Sequence, residues 1–151
     1  MTVSLDRPPR KGGKTSPKKD LAPVLTLAGD FGYSTAQLFG SLVKVNQPSY
    51  LLPVSLEDMP EPPKHGVFSY IDGDATAMVG QSFAVGDYAH SIDATTCRKN
   101  ADAAENKIDT ALIMLLGLLT YQSGLPEDIE INLLTCLQKV TSELREQVTA
   151  V

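Results

Sequence analysis

Asp30 is followed by Gly32, Tyr33, Ser34, Thr35 and Gln37 within eight residues, in the run Leu27-Ala28-Gly29-Asp30-Phe31-Gly32-Tyr33-Ser34-Thr35-Ala36-Gln37-Leu38. A carboxylate at a strand end can face a hydrated Mg²⁺, so Asp30 is a metal-site candidate acting through water. Gly32 lets a backbone turn and approach a phosphate closely. Successive amides from Gly32 through Tyr33 and Ser34 to Thr35 can form an anion-binding concavity. Ser34 and Thr35 add hydroxyl donors, and Gln37 adds a neutral amide donor. The same pattern also serves as a plain hairpin turn capped by an aspartate.

Two β-prone runs, Val24–Ala28 and Thr35–Val45, must position this turn, which is a hairpin pattern. Tyr50–Val54 reads as a short strand or an extended loop. Pro60, Pro62 and Pro63 exclude a helix or a central strand in the stretch that follows. Val67–Ile71 reads as a strand, Asp72-Gly73-Asp74 as a turn, Ala75–Val79 as the returning strand and Gly80–Ser91 as a connection. Ala101–Gln122 carries apolar residues at helical spacing on nearly every side, so it is expected deep in the core. Gly124 and Pro126 stop it. Ile129–Thr135 reads as a strand and Leu137–Val148 as a final amphipathic helix. The expected class is α/β, a mixed β-sheet with packed helices.

The order of these segments resembles the actin-like ATPase superfamily, which has Asp-x-Gly-x-Ser/Thr between its first two strands. Within it, the chain is similar to the ParM-like plasmid-segregation family of cyanobacterial type. The likeness rests on the hairpin, the stretch Ala84-Val85-Gly86-Asp87-Tyr88-Ala89, a long buried helix, Gly124-Leu125-Pro126, a strand and a helix. It covers roughly residues 24 to 148. It implies a ribonuclease-H-like N-terminal domain over residues 23–151, incomplete, behind a tail over residues 1–22. It also implies an ATP–Mg²⁺ site at Asp30, Gly32, Tyr33, Ser34, Thr35 and Gln37. In its complete form such a protein forms ATP-dependent filaments that segregate DNA. Many members carry Lys where this chain has Gln37, so one phosphate-seeking charge is missing. The family completes its cleft with a second Asp-Gly-rich hairpin and an adenosine-binding segment, and neither motif precedes Val151. The expectation is at most half a cleft, no catalytic residue, and weak or absent stand-alone ATP binding and ATPase activity. Self-association or a missing second domain is the expected partner. The alternative is a non-catalytic α/β interaction protein with a vestigial nucleotide cleft.

Charge and composition narrow the other classes. The 151-residue length suits one domain. Residues 1–20 hold six bases against two carboxylates, a net +4, which leaves −9 of the formal −5 total on the remainder. An acidic body is not expected to bind nucleic acid, the basic tail excepted, and the tail reads as disordered. Cys97 and Cys136 make no disulfide framework, and His65 and His90 have no ligand spacing. A reduced, cytoplasmic setting is expected. Ile108–Leu119 is too short for the roughly 20 residues of a membrane span. Asp72, Asp74 and Asp87 read as turn or surface acids rather than a calcium loop. Tyr70, Phe83 and Tyr88 read as packing residues. Ser82 and His90 lack a nucleophile elbow, since Ala84 stands where its second glycine belongs.

Overall fold

The computed structural model describes residues 21–61, 63–99 and 107–135. Residues 1–20 of the tail expected over 1–22, the expected helix start over 101–106, Cys136 and the helix expected at Leu137–Val148 lie outside the described residues. β1 (Val24–Phe31) buries Leu25, Leu27 and Gly29 and turns Thr26, Ala28 and Asp30 outward. This is the two-residue alternation of a strand covered on one face. It pairs antiparallel with β2 (Thr35–Gly40), in register from Leu27 opposite Gly40 to Phe31 opposite Ala36.

The second run, expected as one strand to Val45, is two strands. β2 ends at Gly40, whose amide donates to the Val43 carbonyl at 2.8 Å, and β3 (Lys44–Pro48) returns antiparallel to β2. A side chain at Gly40 would meet Leu27 Cδ2 at 2.5 Å and the Thr26 carbonyl at 2.9 Å. Only glycine lets the strand end lie this close to β1. The hairpin is therefore the first part of a three-stranded meander.

β4 (Tyr50–Val54) begins one residue after β3 and belongs to a different sheet. The described residues form two four-stranded sheets where one mixed sheet was expected. The first has the order β3-β2-β1-β8; the second has the order β5-β6-β4-β7. β5 (Val67–Tyr70), β6 (Gln81–Val85) and β7 (Arg98–Lys99) make the second sheet antiparallel throughout. The returning strand is thus β6, not Ala75–Val79. Between β5 and β6, Asp72 Oδ1 accepts the Gly73 amide and the Tyr70 hydroxyl accepts the Ala75 amide. A single 3₁₀ turn at Thr76–Met78 then buries Met78. Gly80, at φ 80°, donates to the Tyr70 carbonyl and closes the loop. It has open space around its α-carbon, so conformation and not close packing requires glycine there. The expected connection Gly80–Ser91 contains β6 and a short helix, α1 (Gly86–Ile92).

α2 (Lys107–Leu119) packs against β1, β2 and β3 of the first sheet and β5 and β6 of the second. Met114 and Leu118 are fully buried with Leu27, Leu38, Val43 and Val85. The helix ends three residues before the expected Gln122, where Thr120, Tyr121 and Gln122 donate in the tighter i to i−3 pattern. β8 (Glu130–Thr135) then runs parallel to β1, from Val24 beside Glu130 to Gly29 beside Thr135. Tyr70 and Phe83 are packing residues as expected; Phe83 is buried and Tyr70 packs on its cluster.

Helix α2 meets the second sheet at Gly117, which presents no side chain of its own to that of Val85. A Cβ at Gly117 would overlap the Cγ methyls of Val85 and lie 2.9 Å from its Cβ. Gly117→Ala is expected to destabilise the fold by about 1–3 kcal/mol through overpacking, despite a gain of about 1 kcal/mol in helix propensity. Urea denaturation measures it, and adding Val85→Ala restores part of the loss. Tyr121 stitches the same region: its hydroxyl donates to the Val85 carbonyl at 2.8 Å and accepts from the Tyr88 amide at 3.3 Å. Burial pushes its pKa above 10, the Tyr88 amide opposes that, and the Asp87 charge adds to it. The unfolded phenol ionises near pH 10 while the folded one keeps its proton, so stability falls as pH rises past about 10. Thermal melts across that range are expected to show a shallower alkaline loss in Tyr121→Phe.

Candidate functional site

The turn between β1 and β2 gathers Asp30, Gly32, Tyr33, Ser34, Thr35 and Gln37 because they are contiguous on one hairpin. Asp30 and Gln37 are directly opposite in the register, and Asn46 of β3 is opposite Gln37. Directly opposed residues share a face, so these three form one polar row on the outer side of the sheet. Asp30 is exposed, Gln37 is half-buried, and Tyr33, Ser34 and Thr35 are exposed. Gly32 has no left-handed backbone. Its small size matters instead: a Cβ there would sit 3.0 Å from the Thr35 carbonyl and 3.9 Å from Asp30 Oδ1. Glycine at 32 is thus a matter of space at the turn and not of left-handed backbone.

Behind the turn lies Ser49, which the sequence reading passed over. It is 1% exposed and occupies the single position between β3 and β4. Its hydroxyl donates to the Gly32 carbonyl at 2.7 Å, and its amide donates to the Ser34 carbonyl at 3.0 Å. The only signal in the sequence is a lone serine after Pro48, between two short β-prone runs. A second unnoticed group is Thr135, at the carboxyl end of β8 beside Gly29, whose buried hydroxyl has no hydrogen-bond partner among the described residues.

Other sequence candidates do not converge on the turn. Ser82 bonds the Ser69 hydroxyl at 2.7 Å, while the His90 ring lies 4.8 Å from that of Tyr50. Ser82 is opposite Val54, four residues along β4 from Tyr50, or about 13 Å. They cannot act as a nucleophile–base pair in this arrangement. Asp72 holds its own turn, and Asp87 stands on the first turn of α1. Among the described residues, no group of three or more His, Cys, Asp or Glu is disposed to hold a metal. A groove of about 410 Å³ is lined by residues 53–57 and 80–82, on the second sheet rather than at the turn. It combines apolar and polar walls without a titratable pair.

No family model, curated protein or solved structure matches the chain. Among the described residues no helix is long and apolar enough to cross a membrane.

Proposed function

We propose that the chain is an N-terminal actin-like, ParM-like domain, and that Asp30 with the turn 32–35 forms the phosphate-facing side of an ATP–Mg²⁺ site. The observation that carries this reading is the direction of β8. β1 has antiparallel β2 on one side and parallel β8 on the other, and the turn lies just beyond the carboxyl ends of the parallel pair. Open α/β sheets take their ligands beyond those ends, where the strand order switches. Asp30 is the last outward-facing residue before the turn, so a water-held Mg²⁺ at its carboxylate stands next to the backbone amides. Gln37, opposite it, supplies a donor to a phosphate oxygen. In complete form such a protein is an ATP-dependent, cytoplasmic filament former that segregates DNA.

One turn covers little of a nucleotide, and its side chains are exposed. ATP–Mg²⁺ is therefore expected to bind this chain more weakly than about 1 μM, a free energy of roughly −8 kcal/mol. Calorimetry of the chain and of Asp30→Ala checks it. The variant is expected to abolish the heat while changing stability by less than about 0.5 kcal/mol, since Asp30 is exposed. Tight binding by the wild type overturns the half-cleft expectation, and equal binding by the variant overturns the site at Asp30.

A second reading, an interaction protein with a vestigial cleft, draws on the outer face of the first sheet. Leu134, Ala28 and Phe39 form a row across β8, β1 and β2, and Leu134 and Phe39 are 73% and 43% exposed. Val24 adds an exposed apolar side chain on the same face. Such a patch favours association. Sedimentation at micromolar concentration is expected to show species above 16.2 kDa, and Leu134→Glu is expected to shift them to monomer. A wild-type monomer that binds no hydrophobic dye removes this reading.

A further inference from the structure

We infer that Asn46 is a further binding residue, and that the row Asp30, Gln37 and Asn46 selects a metal-chelated di- or triphosphate over a single phosphate. The inference rests on the phosphate-site reading and names the ligand class of that same site. The registers set Asp30 opposite Gln37 and Gln37 opposite Asn46. Backbone rungs toward β3 fall at the even-numbered residues 34 and 40: the Ser49 amide donates to the Ser34 carbonyl at 3.0 Å, and the Gly40 amide donates to the Val43 carbonyl at 2.8 Å. Successive residues of a strand bond to opposite sides, so Gln37 bonds toward β1. Gln37 and Asn46 are therefore a non-hydrogen-bonded pair, with Cα atoms about 4.5 Å apart and side chains close. Asp30 and Gln37 are a hydrogen-bonded pair, about 5.5 Å apart. The three side chains thus stand in a line roughly 10 Å long on one face of the sheet.

Three observations set this row apart from an ordinary wet strand face. Asp30 and Asn46 belong to residue types depleted in strands. The neighbouring row on the same face, Leu134, Ala28 and Phe39, is apolar as far as Lys44 at its end. Among the described residues, none of the three side chains has a hydrogen-bond or ion-pair partner. Local preferences left unmet in this way gather at functional sites. A carboxylate only accepts hydrogen bonds, while a carboxamide also donates two. Mg²⁺ keeps several of its waters and is held by one or two carboxylates together with phosphates. Asp30 is the one carboxylate of the row, so the cation end lies there. A phosphate bridged to that cation lies over Gln37, and the next phosphate of a chain lies one strand further on, over Asn46. A single phosphate is narrower than the row and engages only its Asp30–Gln37 part. The row therefore reads the length of a phosphate chain rather than the nucleoside.

Gln37 and Asn46 each carry a side-chain NH₂ that NMR follows directly. In the full chain, titration with Mg²⁺–tripolyphosphate is expected to shift both side-chain amides, and Mg²⁺–phosphate that of Gln37 alone. Asn46→Ala is expected to raise the tripolyphosphate midpoint about fivefold, the equivalent of one neutral hydrogen bond, and to leave the Mg²⁺–phosphate midpoint alone. Asn46 is exposed, so the backbone spectrum of the variant is expected to stay that of the wild type, which separates a lost contact from a lost fold. An unmoved Asn46 amide beside a shifted Gln37 amide, or an unchanged tripolyphosphate midpoint in Asn46→Ala, overturns the inference and leaves the site at Asp30 standing. If neither side-chain amide moves with any of these ligands, or if Asp30→Ala titrates like the wild type, the phosphate-site reading itself fails and the inference falls with it.

Discussion

The close approach of α2 to β6 at Gly117 and Val85 is the constraint on which the rest of the fold depends. One helix has to fill the core under two sheets. It can do so only if its axis lies near both, and a side chain at Gly117 would hold the second sheet away through Val85. With the helix seated there, Met114 and Leu118 reach the first sheet's Leu27 and Leu38 and form a common buried cluster. The apolar character of the helix on nearly every side is then explained by what surrounds it. A helix lying on one sheet would need only one apolar stripe; this one has sheet strands of two origins against it.

Two sheets that share a helix must also be joined along the chain without a void. The crossing is made in one residue, Ser49, between a strand paired to β2 and a strand paired to β6. A buried polar residue is costly there unless its groups are bonded. Both its donors find carbonyls in the β1–β2 turn. The same two hydrogen bonds satisfy the buried serine and tie the crossover to the β1–β2 turn. The architecture and the candidate site therefore meet at one side chain.

What could be read in the sequence follows from the range of the interactions. β1, α2 and β8 were legible because alternation and helical spacing are local, and the turn was legible because its residues are contiguous. The split of 35–48 into β2 and β3 was hidden because apolar residues run through Gly40, and the reason to turn there is the space occupied by Leu27. β6 was misplaced because Asp72-Gly73-Asp74 has the look of a tight hairpin. The closing contact is instead Gly80 to Tyr70, ten residues apart. The second sheet was not legible, since the switch from one sheet to the other leaves no mark beyond Ser49. Nor was Ser49 itself, which reaches the turn from 17 residues away.

Charge decides what the turn can hold. Among the described strands of the first sheet, Lys44 is the only base, and it stands opposite Phe39 rather than beside the turn. Asp30 is the one formal charge on the row it shares with Gln37 and Asn46. A neutral hydrogen bond contributes a net of about 1 kcal/mol. Repulsion between a phosphate charge and a carboxylate about 4 Å away is near 1 kcal/mol in bulk water and about 4 kcal/mol at the lower effective dielectric of a protein surface. Amides and Gln37 alone would therefore struggle against Asp30 to hold a bare phosphate. On the proposed reading a divalent cation would reverse the sign: the same carboxylate would become its anchor, and the phosphate would meet a positive centre. On the proposed reading, with Lys44 the only base on the described strands of the first sheet, binding at this turn would depend on a metal carried in with the phosphate, and Asp30 would oppose a free anion.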